Sequence, residues 1–162
     1  ADDPRLNVRL PETLRQPLRV ILDTKLRTPP TARILQRPGS ALIFTTVADL
    51  AAQAPLRAAG AEIRAMSRRD WALNLQRVMV ELVRRECNEI QVECGPTLAG
   101  ALLQAGLMDE LVIYLAPLLL GDRARSLFQL PELLKMQERW ELEILEMRAV
   151  GRDWRITLRP VR

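Results

Sequence analysis

The 162-residue sequence predicts one α/β domain: a mainly parallel central sheet flanked by helices, with an antiparallel hairpin at the C-terminal end. Three observations predict it. Short apolar runs alternate with helical stretches through most of the chain, the stretch 75–85 has a single apolar face, and two runs of period two flank Gly151. Repeated strand and helix alternation is the pattern of right-handed βαβ units around a sheet covered on both faces.

Residues 1–17 read as irregular, because Asp3-Pro4, Leu10-Pro11 and Gln16-Pro17 each disfavour helix at the residue before proline. Leu18 to Leu22 is a short buried strand, followed by Asp23-Thr24 and the Pro29-Pro30 loop. Ser40 to Thr45 is the second strand, Val47 to Ala59 a helix stopped by Gly60, and Ala61 to Met66 the third strand. From Leu75 to Arg85 the residues Leu75, Val78, Met79, Leu82 and Val83 recur on one helical face, which makes a crossover helix. Glu89 to Cys94 follows as a buried strand, Thr97 to Ala105 as a helix of small residues ended by Gly106, and Leu111 to Leu115 as a further apolar strand. Trp140, Leu142 and Ile144 alternate with Glu141 and Glu143; Trp154, Ile156 and Leu158 alternate with Arg155, Thr157 and Arg159. Two antiparallel strands are expected to close the sheet there, acidic outward positions facing basic ones, with the register open. No internal repeat, low-complexity segment or linker is evident.

Composition narrows the function. At 48% apolar and 27% charged, the sequence has the balance of a globular domain. The longest apolar runs, such as Leu111 to Leu120, fall far short of the roughly 20 residues a membrane-spanning helix needs, and no signal pattern opens the sequence. The expectation is a soluble, cytoplasmic protein without a membrane partner. Cys87 and Cys94 are the only thiols and read as reduced. Lys and Arg outnumber Asp and Glu by 24 to 20, for a net charge of +4, and nearly all the cations are Arg. That suits phosphate-bearing small molecules, since Arg offers a planar fork of donors. Aromatics are 4% and the Arg residues are scattered, so no nucleic-acid partner is expected; Arg68-Arg69 and Arg84-Arg85 read as solvated faces. There is no His, which removes Ser-His-Asp and Cys-His nucleophile schemes and the commonest acid-base residue. With two Cys and no His, no metal site is expected.

The chemistry concentrates in Ile90-Gln91-Val92-Glu93-Cys94-Gly95-Pro96-Thr97-Leu98-Ala99-Gly100-Ala101. Pro96 suits a first helical position, Gly95 lets a ligand approach the backbone, and the unpaired amides of a first helical turn point at whatever lies above the strand end. Thr97 adds a hydroxyl, and Ala99, Gly100 and Ala101 allow close approach. A purely structural reading stays open: a tight helix start, with Gly100 serving close packing. Glu93, a carboxylate before such a turn, is costly unless paired or solvated. It is placed either to accept hydrogen bonds from a polar ligand or to meet an Arg.

Glu93-Cys94-Gly95-Pro96-Thr97-Leu98-Ala99-Gly100-Ala101, Gly106-Leu107-Met108-Asp109-Glu110-Leu111 and Tyr114-Leu115-Ala116-Pro117-Leu118-Leu119-Leu120-Gly121 resemble the reductase domain of the bifunctional riboflavin-biosynthesis deaminase-reductases. So do residues 1–9, Arg19-Val20-Ile21-Leu22-Asp23-Thr24 and Val150-Gly151-Arg152-Asp153, all in one order. The resemblance implies a dihydrofolate-reductase-like fold and NADPH-dependent reduction of 5-amino-6-(5-phosphoribosylamino)uracil to its ribitylamino counterpart. It implies cofactor contacts at Asp2 and Thr24, a phosphate cradle at Gly95, Pro96, Thr97, Leu98, Ala99, Gly100 and Ala101, and a substrate site at Leu6, Arg9 and Glu93. Arg9 has its own rationale as a phosphate partner, with an exposed loop Arg as the plain alternative; Leu6 could simply anchor the opening loop. The implied step is hydride transfer from nicotinamide C4 to C1 of the opened ribose. No catalytic proton donor stands out, and Glu93, Asp2 and water stay open.

Relatives carry a zinc deaminase domain ahead of the reductase, and a first strand and helix before the point matching Ala1. The resemblance therefore implies that residues 1–162 are reductase domain, a fragment expected to be inactive alone and to associate through exposed strand edges. A homo-oligomer, dimer or higher, is expected. The competing readings are a stand-alone pteridine or pyrimidine reductase and a non-catalytic module of the same fold.

Overall fold

β1 (Arg19–Leu22), β2 (Ala41–Thr45) and β3 (Ala61–Ala65) form a parallel sheet in the order β1-β2-β3. The computed structural model describes residues 3–69 and 72–161, so the expected cofactor contact Asp2 lies outside the described residues. Every residue of β2 is buried. A strand covered on both faces must be apolar on both, which is why Ala41–Phe44 shows no alternation. Ala32, Ile34, Leu35, Ile43, Leu56 and Ile63 build the core of this part, with Leu6, Ile21 and Leu26 packed against it.

α1 (Leu50–Ala58) begins three residues later than the apolar pattern predicts, because the Asp49 side chain accepts the Ala51 amide and fixes the start. α2 (Leu75–Arg84) is capped by Asn74, which accepts the Arg77 amide at 3.1 Å. Its buried face is narrower than the predicted stripe: Val78 and Leu82 are buried, whereas Val83 is 67% exposed. The two-residue strands β4 (Arg68–Arg69) and β5 (Ala72–Leu73) pair antiparallel, a feature too short to leave a period-two signal.

Arg85 corrects its reading as part of a solvated face. Its guanidinium reaches Glu62 on β3 (2.8 Å) and Glu81 on α2 (3.2 Å), while Arg64 also meets Glu81 (3.0 Å). The chain divides after Glu86 into two units, Ala1–Glu86 and Cys87–Arg162.

The second unit holds α3 (Pro96–Gln104), β6 (Leu111–Leu115), β7 (Leu142–Val150) and β8 (Asp153–Pro160). The three strands form an antiparallel sheet, β6-β8-β7. The expected C-terminal pairing is thus present, and β6 joins it rather than a parallel ladder. Val150 pairs with Asp153 across a two-residue loop whose first residue, Gly151, has φ 62, the glycine position of a II′ turn. The acidic-to-basic facing is realised by Glu143 with Arg159 and Glu146 with Arg155, each at 2.6 Å. A bulge between Ile144 and Glu146 shifts the alternation of β7, so that Leu142 and Ile144 before it and Met147 and Ala149 after it stand opposite Pro160, Leu158, Ile156 and Trp154.

The expected buried strand Glu89 to Cys94 is not observed. Residues 89–94 are exposed and form no ladder. Alternation at Ile90 and Val92 fits a strand, but a strand exists only where a neighbour takes its backbone groups, and none of the described residues does so. No helix of the described residues is long and apolar enough to cross a membrane.

Candidate functional site

In open α/β sheets ligands bind beyond the carboxyl ends of the strands. In the first unit those ends are held by threonines. The Thr24 carbonyl accepts the Thr46 hydroxyl at 2.9 Å and the Thr45 hydroxyl at 3.3 Å, binding the loop after β1 to the end of β2. Thr24 itself is half-buried. Beside it in sequence, the Asp23 carboxylate accepts the Thr28 amide and hydroxyl, both at 2.7 Å. Burial pushes the Asp23 carboxyl up. The Thr28 hydroxyl and the amides of Arg27, Thr28 and Lys25 outweigh it, so the carboxyl lies below the usual carboxylate range.

A cavity of about 230 Å³ opens at the carboxyl ends of β2 and β3, lined by Phe44, Arg64, Ala65, Met66, Ser67, Arg77 and the carboxylate Glu81, which is paired with Arg64. Arg77 stands in the first turn of α2 and donates to the Ser67 hydroxyl at 3.0 Å. Sequence reasoning missed Arg64, Ser67, Arg77 and Glu81 at this cavity. Arg77 falls on the polar side of an amphipathic helix, where nothing separates it from Gln76 or Arg84, and only the fold carries it to the end of the sheet.

Leu6 is half-buried against the core with φ 47, and Arg9 is exposed. Core packing therefore accounts for Leu6 without a ligand. These two and Thr24 belong to the first unit, whereas Glu93 and residues 95–101 belong to the second.

In the second unit the turn before α3 takes the predicted form. Gly95 is the N-cap, Pro96 occupies the first helical position, and no side chain caps the helix. Among the described residues no acceptor meets the Thr97 or Leu98 amide, and a helix start leaves such donors for a ligand or water. A Cβ built at Gly95 would meet nothing within 4 Å, and φ there is −84°. Neither packing nor a positive φ calls for glycine here, and glycine is itself a favoured N-cap residue.

Gly100 is different. It is buried, and a Cβ there would collide with the carbonyl oxygen of Gln129. Gln129 also donates its amide to the Pro96 carbonyl at 3.0 Å and accepts the Thr97 hydroxyl at 2.8 Å. Close packing thus explains Gly100, and the Thr97 hydroxyl is engaged within the protein. Leu98, Ala99 and Ala101 are half-buried along the same turn. Gly106 ends the helix at φ 64 in a Schellman motif, with Leu107 donating to the Leu102 carbonyl.

Glu93 is exposed and accepts the Gln91 side-chain amide at 3.3 Å; no Arg meets it among the described residues. Partial desolvation pushes the neighbouring Cys94 thiol up, against the opposing pull of the Ala99 amide.

Comparison with known proteins fits this architecture. The model of the RibD C-terminal domain matches residues 1–156. The riboflavin biosynthesis protein RibD of Escherichia coli (strain K12) is 40% identical over 167 residues, covering 94% of this chain and 44% of that protein. The 5-amino-6-(5-phosphoribosylamino)uracil reductase of Buchnera aphidicola subsp. Acyrthosiphon pisum (strain APS) is 29% identical over 186 residues, 99% of this chain and 81% of that protein. Among solved structures, Acinetobacter baumannii RibD, form 1, has a TM-score of 0.84 and 30% identity over 99% of this chain and 44% of that one. The chain spans less than half the length of these RibD proteins. The expected α/β, dihydrofolate-reductase-like fold class is borne out by this likeness and by the parallel sheet, helices and antiparallel strands. With nearly its whole length matched, the chain belongs to the RibD C-terminal domain family.

Proposed function

We propose that residues 1–162 are a reductase domain that binds NADPH and reduces the ribosyl group of 5-amino-6-(5-phosphoribosylamino)uracil to the ribityl level in riboflavin biosynthesis. The observation that carries this reading is the start of α3, where the Thr97 and Leu98 amides are unmet beside a glycine that packing does not require. A dinucleotide pyrophosphate has the charge and the acceptors that such a helix start satisfies. The name of the Buchnera aphidicola relative, matched over 81% of its length, supports the same substrate.

When bound, the nicotinamide supplies the hydride. In this reading the residues of the chain hold and orient the two reactants. Residues 95–101 hold the phosphates, and Asp2 and Thr24 complete the cofactor contacts. Arg9 holds the substrate phosphate, Glu93 orients the polar end of the substrate, and Leu6, packed against the core, anchors the opening segment that carries Arg9. Arg77, with Ser67 beside it, provides the preference for NADPH over NADH, because the 2′-phosphate of NADPH is the dianion that a guanidinium recognises, whereas Arg64 is held by Glu81. The active form is a homo-oligomer in the cytoplasm.

The test is nucleotide binding and steady-state NADPH oxidation, in the full-length protein, by the Gly95→Ala variant. The reading expects an unchanged melting temperature, since the added Cβ meets nothing within 4 Å, and NADPH affinity weakened about tenfold or more. Unchanged affinity would remove the helix start from the cofactor site.

A further inference from the structure

Arg19 is the most deeply buried cation of the described residues, at 3% exposure, and it is incompletely bonded. Its Nε donates to the Ser40 carbonyl at 3.4 Å and its Nη1 to the Gln36 carbonyl at 2.7 Å, while buried Nη2 has no acceptor. A second orphan is close by: the buried Asn7 Oδ1 has no donor. Both residues line one cavity of about 150 Å³, with Arg5, Arg33, Gln36 and Arg37 among its other walls. Among the described residues none of these four arginines is in an ion pair. The carboxylate of Asp3 is engaged by the Arg33 backbone amide at 2.9 Å.

A buried guanidinium nitrogen without an acceptor is costly, and Arg keeps its charge where other bases would shed it. Burial pulls the Arg19 guanidinium below its ordinary value. Arg5, Arg33 and Arg37 are exposed, so they stand at the mouth while Arg19 forms the floor. One floor cation and three around the mouth match a tetrahedral dianion better than a carboxylate. A cavity of about 150 Å³ is large enough to take a phosphoryl group.

We infer that this cavity is an anion site for a phosphoryl group, separate from the site proposed for NADPH and the reducible substrate. It lies at the amino ends of β1 and β2, the end of the sheet opposite Thr24 and Thr45. Its occupant is either inorganic phosphate or the phosphate end of a small sugar phosphate, and occupation joins the opening segment through Arg5 and Asn7 to the floor of β1. The inference stands whether or not the chain reduces anything.

The test is calorimetric titration of the full chain at constant ionic strength with inorganic phosphate and, separately, with ribose 5-phosphate. Saturable binding is expected, weakened about tenfold or more in Arg5→Ala/Arg37→Ala. Arg19→Met is expected to abolish binding; because Arg19 also bonds two carbonyls and that variant can fail to fold, the double variant at the mouth decides. Tighter binding of inorganic phosphate identifies free phosphate as the occupant, and tighter binding of ribose 5-phosphate, still lost in the double variant, identifies a sugar phosphate. Absence of saturable binding overturns the inference. So does binding that the double variant leaves intact and Arg9→Ala removes, since the phosphate would then belong to the substrate site.

Discussion

The carbonyl oxygen of Gln129 occupies the space where a side chain at Gly100 would begin. That contact fixes the middle of α3 against the segment carrying Gln129, while the first turn of the helix keeps its amides free. Gly100→Ala is therefore expected to destabilise by about 1–3 kcal/mol, the usual range for overpacking. Thermal denaturation checks it, with Gly95→Ala as the silent comparison; equal melting temperatures for the two variants would contradict the packing role.

In the proposed reading Arg77 distinguishes two cofactors that differ by one phosphate. Arg77→Ala is expected to raise KM for NADPH by about 10-fold to 100-fold, with little change for NADH, as loss of a charge-assisted bond predicts. Steady-state kinetics with both nucleotides on the full-length protein measures this. Equal losses for both would assign Arg77 to folding.

Asp23 links stability to acid. Its folded carboxyl lies below the ordinary value, so its contribution is present above the unfolded pKa, about 3.9, and disappears as pH falls through the folded value. Asp23→Asn removes that dependence and is expected to flatten the acid limb of the stability curve. Denaturant unfolding at a series of pH values from neutral to strongly acidic reads it out; a variant with the wild-type slope would contradict the assignment.

Glu86 follows α2 with φ 60, a left-handed conformation that costs a side-chain-bearing residue about 1–2 kcal/mol. Part of that returns on removing the side chain, so Glu86→Gly is expected to stabilise by about 0.5–1 kcal/mol. The denaturant midpoint should rise with no change in slope. A lowered midpoint would show that Glu86 makes a compensating contact.

The elements bounded by local chemistry were legible. The spacing of Leu75, Val78 and Leu82 marks α2, Pro96 and Gly106 bracket α3, and Gly151 marks the hairpin turn. What depended on a distant partner was not. Ile90 and Val92 alternate as a strand does, yet pairing is a property of two segments. Leu111–Leu115 reveals a strand but not that β8 will be its neighbour. The Leu145 bulge, Arg77 at the sheet end and the orphaned Arg19 were hidden for the same reason. The helix start 95–101 was legible because proline, glycine and small residues act over a single turn, whereas the assignment of Gly100 needed the distant Gln129.

The central claim is that the first turn of α3 holds the cofactor's phosphates, and amide exchange by NMR with and without NADP measures it most directly. The account predicts that the Thr97 and Leu98 amides slow markedly when the nucleotide binds. Saturating NADP that leaves both amides unchanged, with protection confined to other segments, would contradict it.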